Sequence, residues 1–155
     1  MRKAAVAWLE VSGQPPYAVW CLWVDDSLYV VSGPDEQPAP GLAGAGGVVR
    51  VSARGDHGGR IVTWPAEVSR LKPDTDDWVA VAPQLAGKRL NASGTAEQTV
   101  ARWADECVLS RLVPAGDPDE AGATLPDDSL AAPPRPSPAT RMPRRPFRLH
   151  RVRRP

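Results

Sequence analysis

Cysteine, histidine and most aromatics are scarce in this 155-residue chain: two Cys, two His, two Tyr and one Phe. Cys21 and Cys107 can build neither a disulfide framework nor a four-ligand zinc site, and both read as buried structural thiols. His57 lies in the turn Gly55-Asp56-His57-Gly58-Gly59 with no nucleophile placed beside it. No apolar run approaches the roughly 18 residues that a membrane helix needs. The basic start Met1-Arg2-Lys3 leads into an apolar stretch that breaks at Glu10 without a small-residue cleavage site, unlike a signal peptide. A cytosolic, unlipidated protein is expected. Gly41–Gly47 lacks the Lys-Ser/Thr of a phosphate loop, and no glycine pattern opens a helix after a strand as a dinucleotide fold requires.

What is present divides unevenly. Residues 1–114 carry 11 basic and 13 acidic side chains, residues 115–134 five acids and no base, and the last 21 residues eight arginines and no acid. The net charge of +1 therefore describes no part of the chain. Nine of the 18 prolines follow Ala115. A segment this poor in apolar residues cannot offset its ordering entropy, so 115–155 reads as a disordered Pro/Arg-rich tail behind a folded domain of residues 1–114. Arginines without interleaved aromatics or a folded groove give only salt-sensitive phosphate binding, which leaves nucleic acid an unlikely partner.

The folded part begins with strands. Ala4–Val11 is followed by Tyr17–Val24, Ser27–Ser32, Val48–Arg54 and Arg60–Leu71. Tyr17–Val24 is an almost unbroken apolar run, which predicts burial on both faces and, in a small chain, a second layer supplied by another subunit. Asp25-Asp26 predicts a tight hairpin turn. Gly33 to Gly47, with five glycines and three prolines, is a long loop. Pro65 removes a ladder donor and marks an edge or a bulge. Asp74 is expected to cap a helix running to about Leu85, ended or kinked at Pro83, and Asp74, Asp76 and Asp77 suit its N-terminus without a metal. Thr95 and Gln98 form a capping box for a second helix to about Glu106. Cys107–Val113 is the sixth strand. Of the six tryptophans most belong to the core, with Trp20 or Trp23 at a dimer interface and Trp64 near a cofactor as the exceptions.

Six antiparallel strands with two helices make a mainly β chain closed into a small antiparallel barrel. At this point Ala4–Pro114 resembles the split-barrel flavin-binding family that includes pyridoxamine 5′-phosphate oxidases and deazaflavin-dependent reductases. The segments that carry the resemblance are Ala4-Val-Ala-Trp-Leu-Glu-Val-Ser-Gly-Gln-Pro-Pro-Tyr and Val19-Trp-Cys-Leu-Trp-Val-Asp-Asp-Ser-Leu-Tyr-Val, with Gly59–Val68 as the family's long fifth strand and Trp103–Pro114 as its closing helix and strand. It implies a homodimer with FMN or a deazaflavin at the subunit interface, and an oxidoreductase of unspecified small-molecule substrate in which the cofactor does the chemistry. No residue is assigned a catalytic role and no metal is expected. The family's Thr or Ser at the end of the third strand maps onto Ser32. Its lysine in the following loop falls within Glu36-Gln37-Pro38, where Gln37 stands instead, and the resemblance keeps Ser32 and Gln37 among the cofactor-binding candidates. The phosphate contact then passes to other groups: Arg50, Arg60, and the cluster Lys88, Arg89 and Asn91, since arginine matches phosphate geometry bidentately. The alternative, from another class, is a non-enzymatic split-barrel dimer that has lost its flavin and binds a small ligand or a protein.

Overall fold

Period-two alternation gives β1 (Val6–Glu10) and β5 (Val48–Arg54) one buried face each, with Ala7, Leu9, Val49, Val51 and Ala53 inside. A computed structural model describes residues 5–55, 59–89 and 94–125. Its other strands are β2 (Tyr17–Trp20), β3 (Leu22–Val24), β4 (Ser27–Ser32), β6 (Arg60–Leu71), β7 (Val108–Pro114) and β8 (Glu120–Ala121), and its helices are α1 (Asp76–Gly87) and α2 (Ala96–Glu106). The sheet runs β2-β1-β5-β6-β7-β4-β3, antiparallel throughout, with β8 added on β6.

The ends of that order, β2 and β3, are consecutive in the chain. The run Tyr17–Val24 is therefore two strands rather than one. Its first half pairs with β1, its second half with β4, and the break falls at Cys21, whose N–H still reaches the Ala5 carbonyl at 2.9 Å. A sheet that closes on itself leaves a seam, and this one is stitched by a side chain. The Gln37 amide accepts from the Trp20 N–H at 2.5 Å and donates to the Trp20 carbonyl at 2.8 Å and the Val31 carbonyl at 3.3 Å.

The strand buried on both faces is β4, all six residues of it, rather than Tyr17–Val24. Leu28 and Val30 point into the barrel with Leu9, Val51, Trp64 and Leu112, while Tyr29 and Val31 join the second core beneath the helices with Trp78, Leu85, Trp103 and Leu109. The covering layer comes from α1 and α2 of the same chain. Each large aliphatic so enclosed contributes about 1.5–3 kcal/mol.

Local signals account for most element ends. Asp25 and Asp26 both have positive φ, 44° and 56°, as a two-residue hairpin turn matching strand twist requires. Thr95 and Gln98 form the reciprocal capping box of α2. The cap of α1 is Thr75, whose Oγ1 accepts from the Trp78 N–H, because a capping residue needs extended backbone and Asp74 has φ 63°. Pro83 sits inside α1 without ending it. Its missing donor would have met the carbonyl of Val79, which is on the exposed side where water can substitute. Pro65 is interior to β6, yet its carbonyl bonds Ala115 N–H just where pairing with β7 stops, so its missing donor also faces the end of the neighbouring strand.

Pairing continues past Pro114, where the sequence places the domain's end. β8 lies on Val62–Thr63, and Asp119 and Glu120 meet Arg50 and Arg60, both at 3.0 Å. The expected Pro/Arg-rich tail from 126 on lies outside the described residues.

Two outcomes follow. Gln37→Met should keep the volume and lose the seam bonds, lowering stability by about 1–3 kcal/mol in urea denaturation. Truncation after Pro114 should melt lower than truncation after Leu125, by roughly 4 °C for each kcal/mol lost with β8 and its ion pairs; equal melting temperatures in calorimetry would show that residues 115–125 add nothing.

Candidate functional site

A cation at a helix C-terminus is favoured by the exposed carbonyl ends, and α1 finishes with Gly87 followed by Lys88 and Arg89. This end of α1 stands over the seam of the barrel. Between them lies a cleft of about 160 Å³ whose floor is Cys21, Val31 and Leu85, whose rim is Lys88 and Arg89, and whose wall is Trp20 with Ala5. Trp20 is 50% exposed, a large apolar ring left open beside two cations. Lys88 has no ion-pair partner among the described residues.

Arg89 does have one. Its Nη2 is 2.7 Å from Oε2 of Glu36, a carboxylate with 1% of its side chain exposed. The other oxygen, Oε1, accepts from Arg102 Nη2 and from the Trp103 indole N–H, each at 2.7 Å. Arg102 also donates to the Pro34 carbonyl at 2.8 Å. The loop that carries Glu36 starts at Gly33, where φ is 148° and an added Cβ would lie 2.9 Å from Cys107 Cα and Sγ, so only glycine fits. The hydrogen bond from Glu36 N–H to the Gly33 carbonyl then closes a turn over Pro34 and Asp35.

The residues nominated by sequence fall into separate places. Lys88 and Arg89 share the cleft. Ser32 is buried at the end of β4, opposite Val108, where the loop begins. Gln37 is spent on the seam rather than turned to a ligand. Arg50 sits between Glu10 and Asp119, and Arg60 against Glu120, both on β5 and β6 and engaged with the segment after β7. Trp64 is buried and meets Trp23 edge-on at 6.0 Å, beside a second, apolar cavity under Pro114 and Pro118. Asn91 and His57 lie outside the described residues. Glu36, Arg102 and Trp103 were not legible as a unit: their partners are more than sixty residues apart in sequence, and nothing local marks the pairing.

Burial pushes the Cys21 thiol up to about 12, with the Lys88 charge pulling weakly the other way. Burial likewise raises Cys107, against a smaller opposing effect of Arg102. Both are protonated near neutral pH, which fits structural thiols rather than nucleophiles. Among the described residues no group of three potential metal ligands comes together, and no helix is long and apolar enough to cross a membrane.

No protein-family model and no curated protein matches the chain. Solved structures do. HutZ, the heme storage protein from Vibrio cholerae, is 14% identical with a TM-score of 0.54, over 75% of this chain and 85% of that one. A pyridoxamine 5′-phosphate oxidase candidate from Listeria innocua is 18% identical with a TM-score of 0.49, over 74% and 86%. A FAD-binding protein from Mesorhizobium loti is 17% identical with a TM-score of 0.40, over 74% and 84%. At such identities the likeness is one of fold, and the fold is the split barrel that the sequence resembles.

The thiol assignment is open to a direct check. Iodoacetamide near pH 8 should leave Cys21 unmodified in the native protein and alkylate it in urea, by mass spectrometry of its peptide. The unfolded chain releases this proton near 9 and the folded chain near 12, so its contribution to stability is complete below pH 9 and is lost as pH rises toward 12. Rapid native alkylation of Cys21 would overturn its burial.

Proposed function

We propose that the protein binds a planar anionic small molecule of the flavin type, FMN or a deazaflavin, in the cleft between Trp20 and the end of α1, and that it does so as a homodimer. The observation that supports this is the pairing of an open indole and an apolar floor with a lysine that no carboxylate neutralises among the described residues. The cleft of about 160 Å³ is smaller than the roughly 300–1,000 Å³ of common ligand sites, and in a dimer a second copy would supply the rest. Val6 and Trp20 are cross-strand partners, both exposed, and form the apolar surface on which that copy would sit. The flavin would supply hydride transfer when bound; this chain's residues would hold and orient it, consistent with the absence of an assigned catalytic group.

The ring fits better than the phosphate. Of the groups expected to hold the cofactor, Gln37, Arg50 and Arg60 are engaged elsewhere and Arg89 is paired with Glu36. Lys88 and the remaining donors of Arg89 are what the cleft offers. That commitment of cations to the chain's own carboxylates favours the second reading, a non-enzymatic split-barrel dimer that binds a small ligand without redox chemistry.

An absorbance spectrum of the purified protein and a fluorescence titration with FMN separate these readings. Lys88→Ala should weaken FMN binding by about tenfold, since a charge-assisted contact contributes about 1.5–3 kcal/mol, and the loss should shrink as salt rises. Light scattering at micromolar concentration should give a dimer. No FMN or deazaflavin binding by the wild type would leave the second reading, and a monomer would remove the shared site.

A further inference from the structure

The set of donors around Glu36 is what an anion site has, except that the anion belongs to the chain. Two guanidinium groups and an indole N–H converge on one carboxylate that water does not reach, and the arginines come from different elements, the end of α1 and the second half of α2. Oε1 receives two directed hydrogen bonds, whereas Oε2, fully buried, accepts none with good geometry and faces Arg89 as an ion pair. The side chains of Arg89 and Arg102 are 22% and 30% exposed, so both arginines remain partly open to water while Glu36 between them is not. Arg89 is shared between this seat and the cleft.

We propose that Arg89, Arg102 and the Trp103 indole N–H form an anion-binding seat which Glu36 fills from within the chain, so that Glu36 sets how strongly the adjoining cleft favours phosphorylated over unphosphorylated ligands. With Glu36 in place, the anionic end of a ligand meets Lys88 and the outer edge of Arg89. Without it, three donors that now serve the carboxylate are open to a phosphate. The selectivity part of this inference rests on the ligand class proposed above; the seat does not.

The test therefore has two arms, on the full chain. In the first, thermal melting is compared in about 20 mM inorganic phosphate and in chloride of equal ionic strength. The wild type should melt alike in both. Glu36→Ala should melt lower in chloride and recover by about 3 °C or more in phosphate, and Glu36→Ala with Arg102→Gln should not recover. Equal melting of Glu36→Ala in both salts, or recovery that persists without Arg102, overturns the seat. If Glu36→Ala does not fold in chloride but folds in phosphate, the seat is supported; if it folds in neither, the isosteric Glu36→Gln is compared in the same two salts, and a phosphate-specific gain over the wild type supports the seat while none overturns it. In the second arm, the affinities of FMN and riboflavin are measured. Their ratio should rise by about tenfold from wild type to the Glu36 variant, through tighter FMN binding at unchanged riboflavin binding. An unchanged ratio overturns the selectivity role. Failure of both flavins to bind any variant removes the ligand class and leaves the phosphate arm to decide the seat.

Discussion

The barrel has to close, and it closes through a single apolar run that changes partner at Cys21. Everything near the cleft depends on that seam. β2 and β3 cannot pair with each other because they are one continuous chain, so the last carbonyl and N–H of β2 face no strand. Unpaired backbone groups at such a point cost free energy unless something meets them. Gln37 meets both at Trp20 and extends to β4 through Val31. A lysine at this position has donors but no acceptor, so it could not have accepted from the Trp20 N–H. Gln37, which stands where the resemblance implies a lysine, is thus tied to barrel closure in this protein.

The same loop holds the second constraint. A carboxylate as buried as Glu36 loses several kcal/mol of hydration, which only close pairing can offset. Here it has two guanidinium groups and an indole, and removing any one partner would leave the charge undercompensated. The loop is therefore held at two successive residues, Glu36 toward the helices and Gln37 toward the seam. Gly33 supplies the turn that brings both within reach. Such a buried ion pair is weak grounds for claiming added stability, since an apolar replacement of both partners can be neutral or better. It is stronger grounds for claiming a unique loop position, and the cleft shares its Arg89 with that position.

Local chemistry was legible where one or two residues decide the outcome. Asp25-Asp26 tolerate positive φ, Thr95 and Gln98 lie three apart, and each did what its spacing implies. Two-sided burial falls on Ser27–Ser32 rather than Tyr17–Val24; both runs are apolar, and composition does not tell which lies under the helices. Trp20 shows the difference: it belongs to the longer apolar run and is nevertheless half exposed, whereas Ser27 and Ser32 are buried in the shorter one. Of the candidate site, the two cations after α1 could be found because they form the densest cationic spot of the folded part, in the connection between two helices. The carboxylate that binds one of them could not, because its pairing depends on the tertiary path of the loop. The acidic residues after Pro114 have the composition of a solvated tail, yet Asp119 and Glu120 face Arg50 and Arg60 on β5 and β6.

Most arginines of the folded part are engaged within the chain. Arg50, Arg60, Arg89 and Arg111 each stand against a carboxylate, and Arg54 lies over the Trp8 ring at 4.2 Å. Arginine is suited to these planar, paired contacts, and its use there removes it from the pool of ligand-binding cations. Lys88 remains, and the carbonyl ends of α1 already explain a positive charge at that position. Helix capping, however, does not require the cation to overlook an open indole and a hydrophobic floor. A lysine on a flexible stem above such a floor can meet an anionic group without fixed geometry, so if the proposed ligand binds, its ring would be held more rigidly than its anionic end.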